Sequence, residues 1–273
     1  MIKLFYYYFF PQRLFTTLIH FIAHLSYPKT CVHILIYSYS RIYRINTCGL
    51  QLSSYKTLND FFIRQGKNII DAQSDVIVSP ADGQIVGYGK ITENSILQVK
   101  GITYTLEELL VNEELARQFF NGSYVNIHLR PFDYHRFYMP LSASILGYGY
   151  IRGKLFPVNY GSRAYVQKLY QRNERLITIL KTPYGKILVI KIAALGVGGI
   201  KVAYTNIDKE SQNTPYHFLQ SPQFLNKGDE LGYFELGSSI LMLFEKNQIT
   251  FDSTIGENSI IQYGKKIGSL KQI

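Results

Sequence analysis

Short hydrophobic runs punctuated by glycine predict a series of β-strands from about residue 75 onward. The segment DVIVSPADGQIVGYGKI (75–91) predicts a strand, a turn at Pro80 to Gly83, and a second strand. Pro183-Tyr184-Gly185 is typical of a hairpin turn. Further strands are predicted for SYVNIHL (123–129), ASILGYGYI (143–151), RLITILKT (175–182), KILVIKIAAL (186–195) and FELGSSILMLFE (234–245). This order predicts a mainly antiparallel β domain.

Helical periodicity is clearest in TLEELLVNEELARQFF (105–120). Leu106, Leu109, Leu110 and Leu115 recur there at the spacing of one helix face, so the pattern predicts a single helix. A second helical region is predicted before the strands begin. Helices followed by a run of strands indicate the α+β fold class.

The N-terminal segment MIKLFYYYFFPQRLFTTLIHFIAHLSYPKT (1–30) mixes cations with large apolar side chains, as helices in a membrane interface do. Pro11, Arg13, His20 and His24 interrupt its apolar runs, which fall short of the ~20 residues that span a bilayer. A buried helix pair and a signal or spanning segment remain alternatives; no small-x-small cleavage site follows. We expect a helical, membrane-associating region over residues 1–60 and a β-rich domain over residues 61–273.

Composition and charge narrow the choice of partner. The chain has 273 residues, 47% of them hydrophobic, and a net charge of +10. No Asp or Glu precedes Asp60, although six cations do: Lys3, Arg13, Lys29, Arg41, Arg44 and Lys56. An anionic membrane surface suits this asymmetry, whereas no recognised nucleic-acid module accompanies it. Two cysteines exclude a disulfide framework and lack metal-ligand spacing, so we predict no metal site.

Candidate chemistry is present in three segments. Asp82 lies in SPADGQI, where an Asp-Gly pair is also an ordinary turn signal. His135 lies among charged and aromatic residues in LRPFDYHRFYMP (129–140), which makes it a candidate general acid or base as well as a loop residue. Gly237 weakens the strand in which Ser238 and its hydroxyl occur, an arrangement that suits a reactive serine.

Taken together, seven segments resemble the bacterial phosphatidylserine decarboxylases, which are pyruvoyl-dependent enzymes of the membrane. The segments occur in the family's order across most of the chain: YKTLNDFFIR (55–64), SPADGQI (79–85), DYHRFYMP (133–140), GKLFPVN (153–159), NERL (173–176), GVGGI (196–200) and KGDELGYFELGSS (227–239). The resemblance implies that residues 61–273 form the catalytic domain.

The resemblance also implies a proenzyme that cuts itself between Gly237 and Ser238. The Ser238 hydroxyl attacks the Gly237 carbonyl, and Ser238 becomes a covalent pyruvoyl cofactor at the start of a short α chain. This group forms a Schiff base with phosphatidylserine, which loses carbon dioxide and becomes phosphatidylethanolamine. The implied roles are orientation of a histidine by Asp82 and protonation of the product by His135. Implied partners are phosphatidylserine in an anionic membrane, the β chain of the same precursor, and a second copy in a homodimer on the cytoplasmic side of the inner membrane.

One position departs from the family pattern Asp-Tyr-His-Arg-x-His-x-Pro. Tyr138 occupies the place of the second histidine, which is commonly the base of a self-cleavage triad. A tyrosine with a pKa of ~10 is a poor base at neutral pH. Either His135 serves both steps, or Tyr138 is activated, or processing is slow or absent, and His128 is the least favoured substitute. The alternative function is therefore a noncatalytic membrane-surface relative.

Overall fold

The α+β fold class is confirmed by a computed structural model, which describes residues 10–66, 68–97, 103–196, 199–207, 215–235 and 238–271. The side chains of residues 96 and 97 also lie outside that description. Helices come first along the chain and antiparallel strands follow.

The N-terminal helices form a small layer of their own. They are α1 (Gln12–Ala23), α2 (Lys29–Ile42) and α3 (Leu58–Phe62), with a 3₁₀ turn at Leu52–Ser54. Prolines directly precede α1 and α2, and Thr57 caps α3 by accepting a hydrogen bond from the Asp60 amide at 3.0 Å. Among the described residues, no helix has the length and apolar character needed to cross a membrane.

The described residues of the β domain include four short helices: α4 (Leu106–Leu110), α5 (Glu113–Arg117), α6 (Tyr160–Tyr165) and α7 (Leu169–Arg172). The prediction of one helix over residues 105–120 is wrong, because α4 ends at Val111, whose φ of 52° is left-handed. Asn112 then starts α5 by accepting a hydrogen bond from the Leu115 amide at 2.9 Å. Leucine spacing does not reveal a change of chain direction between two turns of helix.

The strands lie close to the predicted hydrophobic runs. In chain order they are β1 (Val76–Val78), β2 (Gly83–Lys90), β3 (Ser95–Leu97), β4 (Thr103–Thr105), β5 (Ser123–Leu129), β6 (Arg136–Tyr138), β7 (Ala143–Ile151), β8 (Arg175–Thr182), β9 (Gly185–Ala193), β10 (Ile200–Val202), β11 (Tyr216–Leu225), β12 (Glu230–Phe234), β13 (Ser238–Phe244), β14 (Ile249–Phe251), β15 (Ile260–Ile261) and β16 (Lys266–Leu270). The predicted hairpin turn joins β8 to β9, where Gly185 adopts a φ of +110° that favours glycine.

The main sheet places β13 near its centre. Within the described part of the chain this sheet has eight strands in the order β11-β7-β8-β9-β13-β5-β2-β15. Every residue of β13 is buried, since β9 and β5 pair with its two edges and other elements cover both faces. Ser238, its first residue, therefore lies deep in the protein.

A smaller sheet, ordered β10-β12-β6, brings the DYHRFYMP segment towards the start of β13. Strand β12 pairs with β6 on one side and leads along the chain into β13. Phe137 of β6 packs on Phe234 of β12 with ring centroids 4.9 Å apart, and both rings are fully buried. The remaining strands form the sheet β1-β16-β14 and the hairpin β3-β4.

Candidate active site

The hydroxyl of Ser238 is buried and lacks a hydrogen-bond partner among the described residues. An unpaired hydroxyl in a protein interior is destabilising and uncommon, so its presence calls for a functional explanation. Ser238 pairs with Leu129 on β5 and Ala193 on β9, which hold its backbone in the sheet. Gly237, on the other side of the predicted cleavage site, lies outside the described residues.

His128 lies next to the serine pair, although the sequence analysis ranked it last among the possible bases. It pairs with Ser239 across β5 and β13, and its Nδ1 atom is 3.4 Å from the Ser239 hydroxyl oxygen. Burial, reinforced by the charge of Arg163, lowers the pKa of His128 to about 4. A backbone hydrogen bond to Ser238 raises that pKa in part, which identifies the Ser238 carbonyl as the acceptor.

His135 is fully buried at the entry to β6. Its ring stacks on Phe62 with centroids 3.8 Å apart, and its Nε2 atom lies 3.1 Å from the Arg130 carbonyl oxygen. Because a carbonyl only accepts, Nε2 carries the ring proton and Nδ1 presents a lone pair. Nδ1 has no hydrogen-bond partner in the described part of the chain, and burial lowers the pKa of His135 to about 3. His135 is thus a neutral imidazole with one nitrogen available to accept a proton.

Asp82 is held by groups other than the histidines. Its Oδ1 atom accepts hydrogen bonds from the Tyr263 amide at 2.8 Å and from the Asn68 side chain at 3.2 Å. Burial raises the pKa of Asp82 to about 6, and the nearby Asp133 carboxylate also raises it. No hydrogen bond between Asp82 and His128 or His135 occurs among the described residues, so its predicted orienting role stays a prediction.

Tyr138, at the end of β6, packs against Tyr263, whose amide donates a hydrogen bond to Asp82. Its ring stacks on Tyr263 with centroids 4.3 Å apart, and its amide donates to the Pro80 carbonyl at 2.8 Å. Burial raises the pKa of Tyr138 above its usual value, and the charge of Glu230 adds to the effect. A phenol that holds its proton more tightly than usual is a weaker candidate for the cleavage base.

The loop before His135 is fastened by an ion pair. Arg130 donates to Asp133 from its backbone amide at 2.8 Å and from two guanidinium nitrogens at 2.9 and 2.8 Å. Asp133 therefore serves to shape the loop whose Arg130 carbonyl orients His135. This contact gives Asp133 a positioning role rather than a place in the chemistry.

Lys191 is a buried amine that the sequence analysis did not select. It lies on β9 opposite Ile240, two residues from the partner of Ser238, and thus faces the same side of the sheet as Ser238. Its Nζ atom contacts the Thr178 hydroxyl and donates to the Val189 carbonyl at 3.0 Å. Burial lowers the pKa of Lys191 well below its usual value. The signal in the sequence was a single lysine within the apolar run KILVIKIAAL.

Comparison with known proteins assigns the class and then the family. The family model described as phosphatidylserine decarboxylase matches residues 58–269. Two curated phosphatidylserine decarboxylase proenzymes are similar over most of their length. The proenzyme from Myxococcus xanthus (strain DK1622) is 36% identical over 94% of this chain and 94% of its own length. The proenzyme from Brevibacillus brevis (strain 47) is 34% identical over 95% of this chain and 99% of its own length.

A third relative, the proenzyme of Acinetobacter baumannii (strain AYE), is 37% identical over 78% of this chain and 76% of its own. These matches place the chain among the decarboxylases, a class of lyases. It belongs to the phosphatidylserine decarboxylase family, as the seven segments predicted.

Proposed function

We propose that the chain is a proenzyme that cuts itself between Gly237 and Ser238 and then converts phosphatidylserine to phosphatidylethanolamine and carbon dioxide. The observation that carries this proposal is the buried, unpaired Ser238 hydroxyl at the first position of the central strand. The residue before it is glycine, which lacks a Cβ and permits the close approach that the attack requires.

Cleavage can be written so that every atom is accounted for. The Ser238 Oγ atom bonds to the Gly237 carbonyl carbon as the peptide C–N bond breaks, and the freed amine takes the hydroxyl proton. Loss of the Ser238 α-proton then breaks the ester C–O bond and releases the Gly237 carboxylate. Addition of water and loss of ammonia leave a pyruvoyl group at position 238. That group supplies the electron sink for removing carbon dioxide from an amino acid headgroup.

His128 fits the step in which the Ser238 α-proton is lost. As that proton leaves, negative charge develops on the Ser238 carbonyl oxygen, the atom with which His128 forms its backbone hydrogen bond. A donor already in place at a developing oxyanion lowers the barrier. His128 therefore stabilises this charge without any contribution from Tyr138.

His135 is suited to accept a proton first and to donate one afterwards. Its Nδ1 lone pair is free among the described residues, so the ring must gain a proton before it can return one to a product carbon. This order agrees with the alternative in which His135 serves both self-cleavage and decarboxylation. Asp82 and Tyr138 both contact Tyr263, and in this scheme they support the site through that residue instead of forming the cleavage triad.

The central position of β13 supports the proposed association of the two products. After cleavage, residues 238–244 remain hydrogen-bonded to β5 and β9, which belong to the longer β chain. The two chains thus stay together without a covalent link. We further propose a homodimer, on the strength of the family resemblance.

Helix α1 supports attachment to an anionic membrane surface on the cytoplasmic side of the inner membrane. One of its faces docks on the β domain, where Gln12 accepts a hydrogen bond from the Leu155 amide and Thr16 accepts one from the Gly196 amide. The opposite side exposes large apolar residues at helical spacing, Leu14, Leu18 and Phe21, and Leu25 is exposed just beyond the end of the helix. An apolar face beside a basic segment suits a membrane interface where phosphatidylserine resides.

The test is mass spectrometry of the purified full-length chain with two serine variants. We expect the parent to yield a fragment of residues 238–273 blocked by a pyruvoyl group. Ser238→Ala should remain one uncut chain without decarboxylase activity, whereas the matched variant Ser239→Ala should still be cut. An intact parent chain would favour the noncatalytic relative, and normal cleavage of Ser238→Ala would refute the assigned nucleophile.

A further inference from the structure

Three side chains that can bind a metal ion converge where α1 meets the strand leading to the cleavage site. They are His20, His24 and Glu235, whose ligand atoms all lie within 4.8 Å of one another. The histidines are four residues apart and therefore share one face of the helix. Glu235 follows β12 directly, so the cluster joins elements that are more than 200 residues apart in the sequence.

The distance between His20 and Glu235 fits a tetrahedral ion with nitrogen and oxygen ligands, and the other ligand atoms of the cluster are within 4.8 Å. His20 Nε2 lies 3.4 Å from the Glu235 Oε2 atom. Ligand atoms about 2.0–2.1 Å from a tetrahedral zinc ion are about 3.3–3.4 Å apart. Two imidazoles and one carboxylate would leave a further position for water, as in open zinc sites.

His24 is already held in the orientation that a metal ligand needs. Its Nδ1 atom lies 2.8 Å from the His20 carbonyl oxygen, which can only accept, so Nδ1 carries the ring proton. The Nε2 atom then has the lone pair. Metal-binding histidines commonly donate their other N–H to a backbone carbonyl in this way, which fixes the ring and its tautomer.

Glu235 provides a mostly buried negative charge that needs a cation. Its side chain is 11% exposed, and its amide donates to the Gly199 carbonyl at 3.0 Å, which holds the backbone in place. In the described part of the chain its ion-pair partner is His20, with no lysine or arginine within salt-bridge distance. A His20–Glu235 ion pair accounts for two of the residues, and His24 is held beside them by its hydrogen bond to the His20 carbonyl and by a ring contact with His20 at a centroid distance of 4.0 Å. These contacts assemble the three side chains before any metal binds.

We propose that His20, His24 and Glu235 bind one divalent cation of the zinc type. The site clamps α1 to the backbone three residues ahead of Ser238. Bound metal would therefore stabilise the docked position of the helix that carries the exposed apolar face. Hard cations such as Ca²⁺ and Mg²⁺ prefer oxygen ligands and should bind here weakly.

The experiment titrates Zn²⁺ into the untagged, EDTA-treated full-length protein by isothermal calorimetry, with Mg²⁺ in a parallel titration. We expect one Zn²⁺ per chain and a rise in melting temperature on binding. His24→Ala should weaken Zn²⁺ binding by about tenfold or more. The matched control is His33→Ala on α2, an exposed histidine outside the cluster, which should bind as the parent does.

Absence of stoichiometric Zn²⁺ binding would overturn the proposal, as would unchanged affinity in both His24→Ala and Glu235→Gln. All three ligands precede Gly237 and therefore stay on one chain after cleavage. The titration measures binding to the same site whether or not the chain has been cut. A failed metal titration therefore leaves the proposed self-cleavage untouched. Conversely, an uncut chain that binds Zn²⁺ would refute only the proposed processing.

Discussion

The helical region and the β domain bury their hydrophobic residues to very different extents. Strand β13 is buried at every position. Helices α1 and α2 bury few side chains and expose many large apolar ones, including Leu14, Leu18, Phe21, Ile34, Tyr37 and Ile42. Folding alone explains the apolar residues of the sheet, whereas those of the helices indicate a further surface to be covered.

The two regions also differ in where their polar residues lie. The β domain buries His135 and the Ser238 hydroxyl and half-buries His128, which are the polar groups of the proposed site. The family match begins at residue 58, the first residue of α3, and therefore leaves out α1 and α2. On this contrast we propose that reaction and membrane attachment are carried by separate parts of the chain, and the following predictions test that proposal and the proposed site.

The largest expected effect is on self-cleavage when His128 is removed. His128→Ala should slow the appearance of the 238–273 fragment by about 10²- to 10³-fold, because a preorganised donor at the Ser238 carbonyl is lost. His128→Gln keeps an N–H donor and should recover part of the rate. His217→Ala, on the edge strand β11, is the matched control. Cleavage of His128→Ala at the parent rate would remove His128 from the mechanism.

A large-to-small substitution in the core of the β domain and one in the core of the helical region should destabilise different parts of the chain. Leu241 of β13 and Ile36 of α2 are both fully buried. Leu241→Ala should lower the free energy of unfolding of the β domain by about 2–5 kcal/mol. Ile36→Ala should instead increase hydrogen exchange in α1 and α2 while β13 keeps its protection. If both variants loosen both regions equally, the separation is wrong and the chain unfolds as one unit.

A change on the exposed face of α1 should affect membrane binding alone. Leu18→Ser removes an exposed apolar side chain, and should weaken binding to phosphatidylserine vesicles by about 1.5–3 kcal/mol. Co-sedimentation measures the binding, and the cleavage rate of the same sample should equal that of the parent. Ser54→Ala, an exposed change in the neighbouring 3₁₀ turn, is the control. Unchanged vesicle binding would place the attachment surface elsewhere.

The smallest expected effect is that of mild acid on self-cleavage. Burial disfavours the charged ring, so His128 and His135, with pKa values lowered to about 4 and about 3, remain neutral at pH 5.5. The cleavage rate of folded precursor should therefore change little between pH 7.5 and 5.5. A base with the ordinary histidine pKa of ~6.5 would be mostly protonated at pH 5.5 and would lose about tenfold in rate. Asp82, whose pKa is raised to about 6, titrates in this range, so the same comparison is made with Asp82→Asn. A loss of that size that persists in Asp82→Asn would contradict the neutral state of both rings.

The sequence by itself determined the fold class, most of the strands and the family. Short segments rich in apolar residues predicted β5, β7 and β8, because strands that bury one face or both need hydrophobic residues at close spacing. The serine proposed as the nucleophile was also visible, since a Gly-Ser-Ser triplet is out of place in such a run. The helix over residues 105–120 was wrong because periodicity does not reveal the left-handed turn at Val111.

Only the tertiary structure decided which groups surround that serine. His128 and Ser239 are 111 positions apart, and the register of β5 against β13 brings them together. The same folding buries the imidazoles and so keeps them neutral, while it joins Glu235 to the two histidines of α1. Local patterns in a sequence reflect backbone preference and burial, but proximity between distant residues and the pKa shifts that follow from it arise only when the chain has packed.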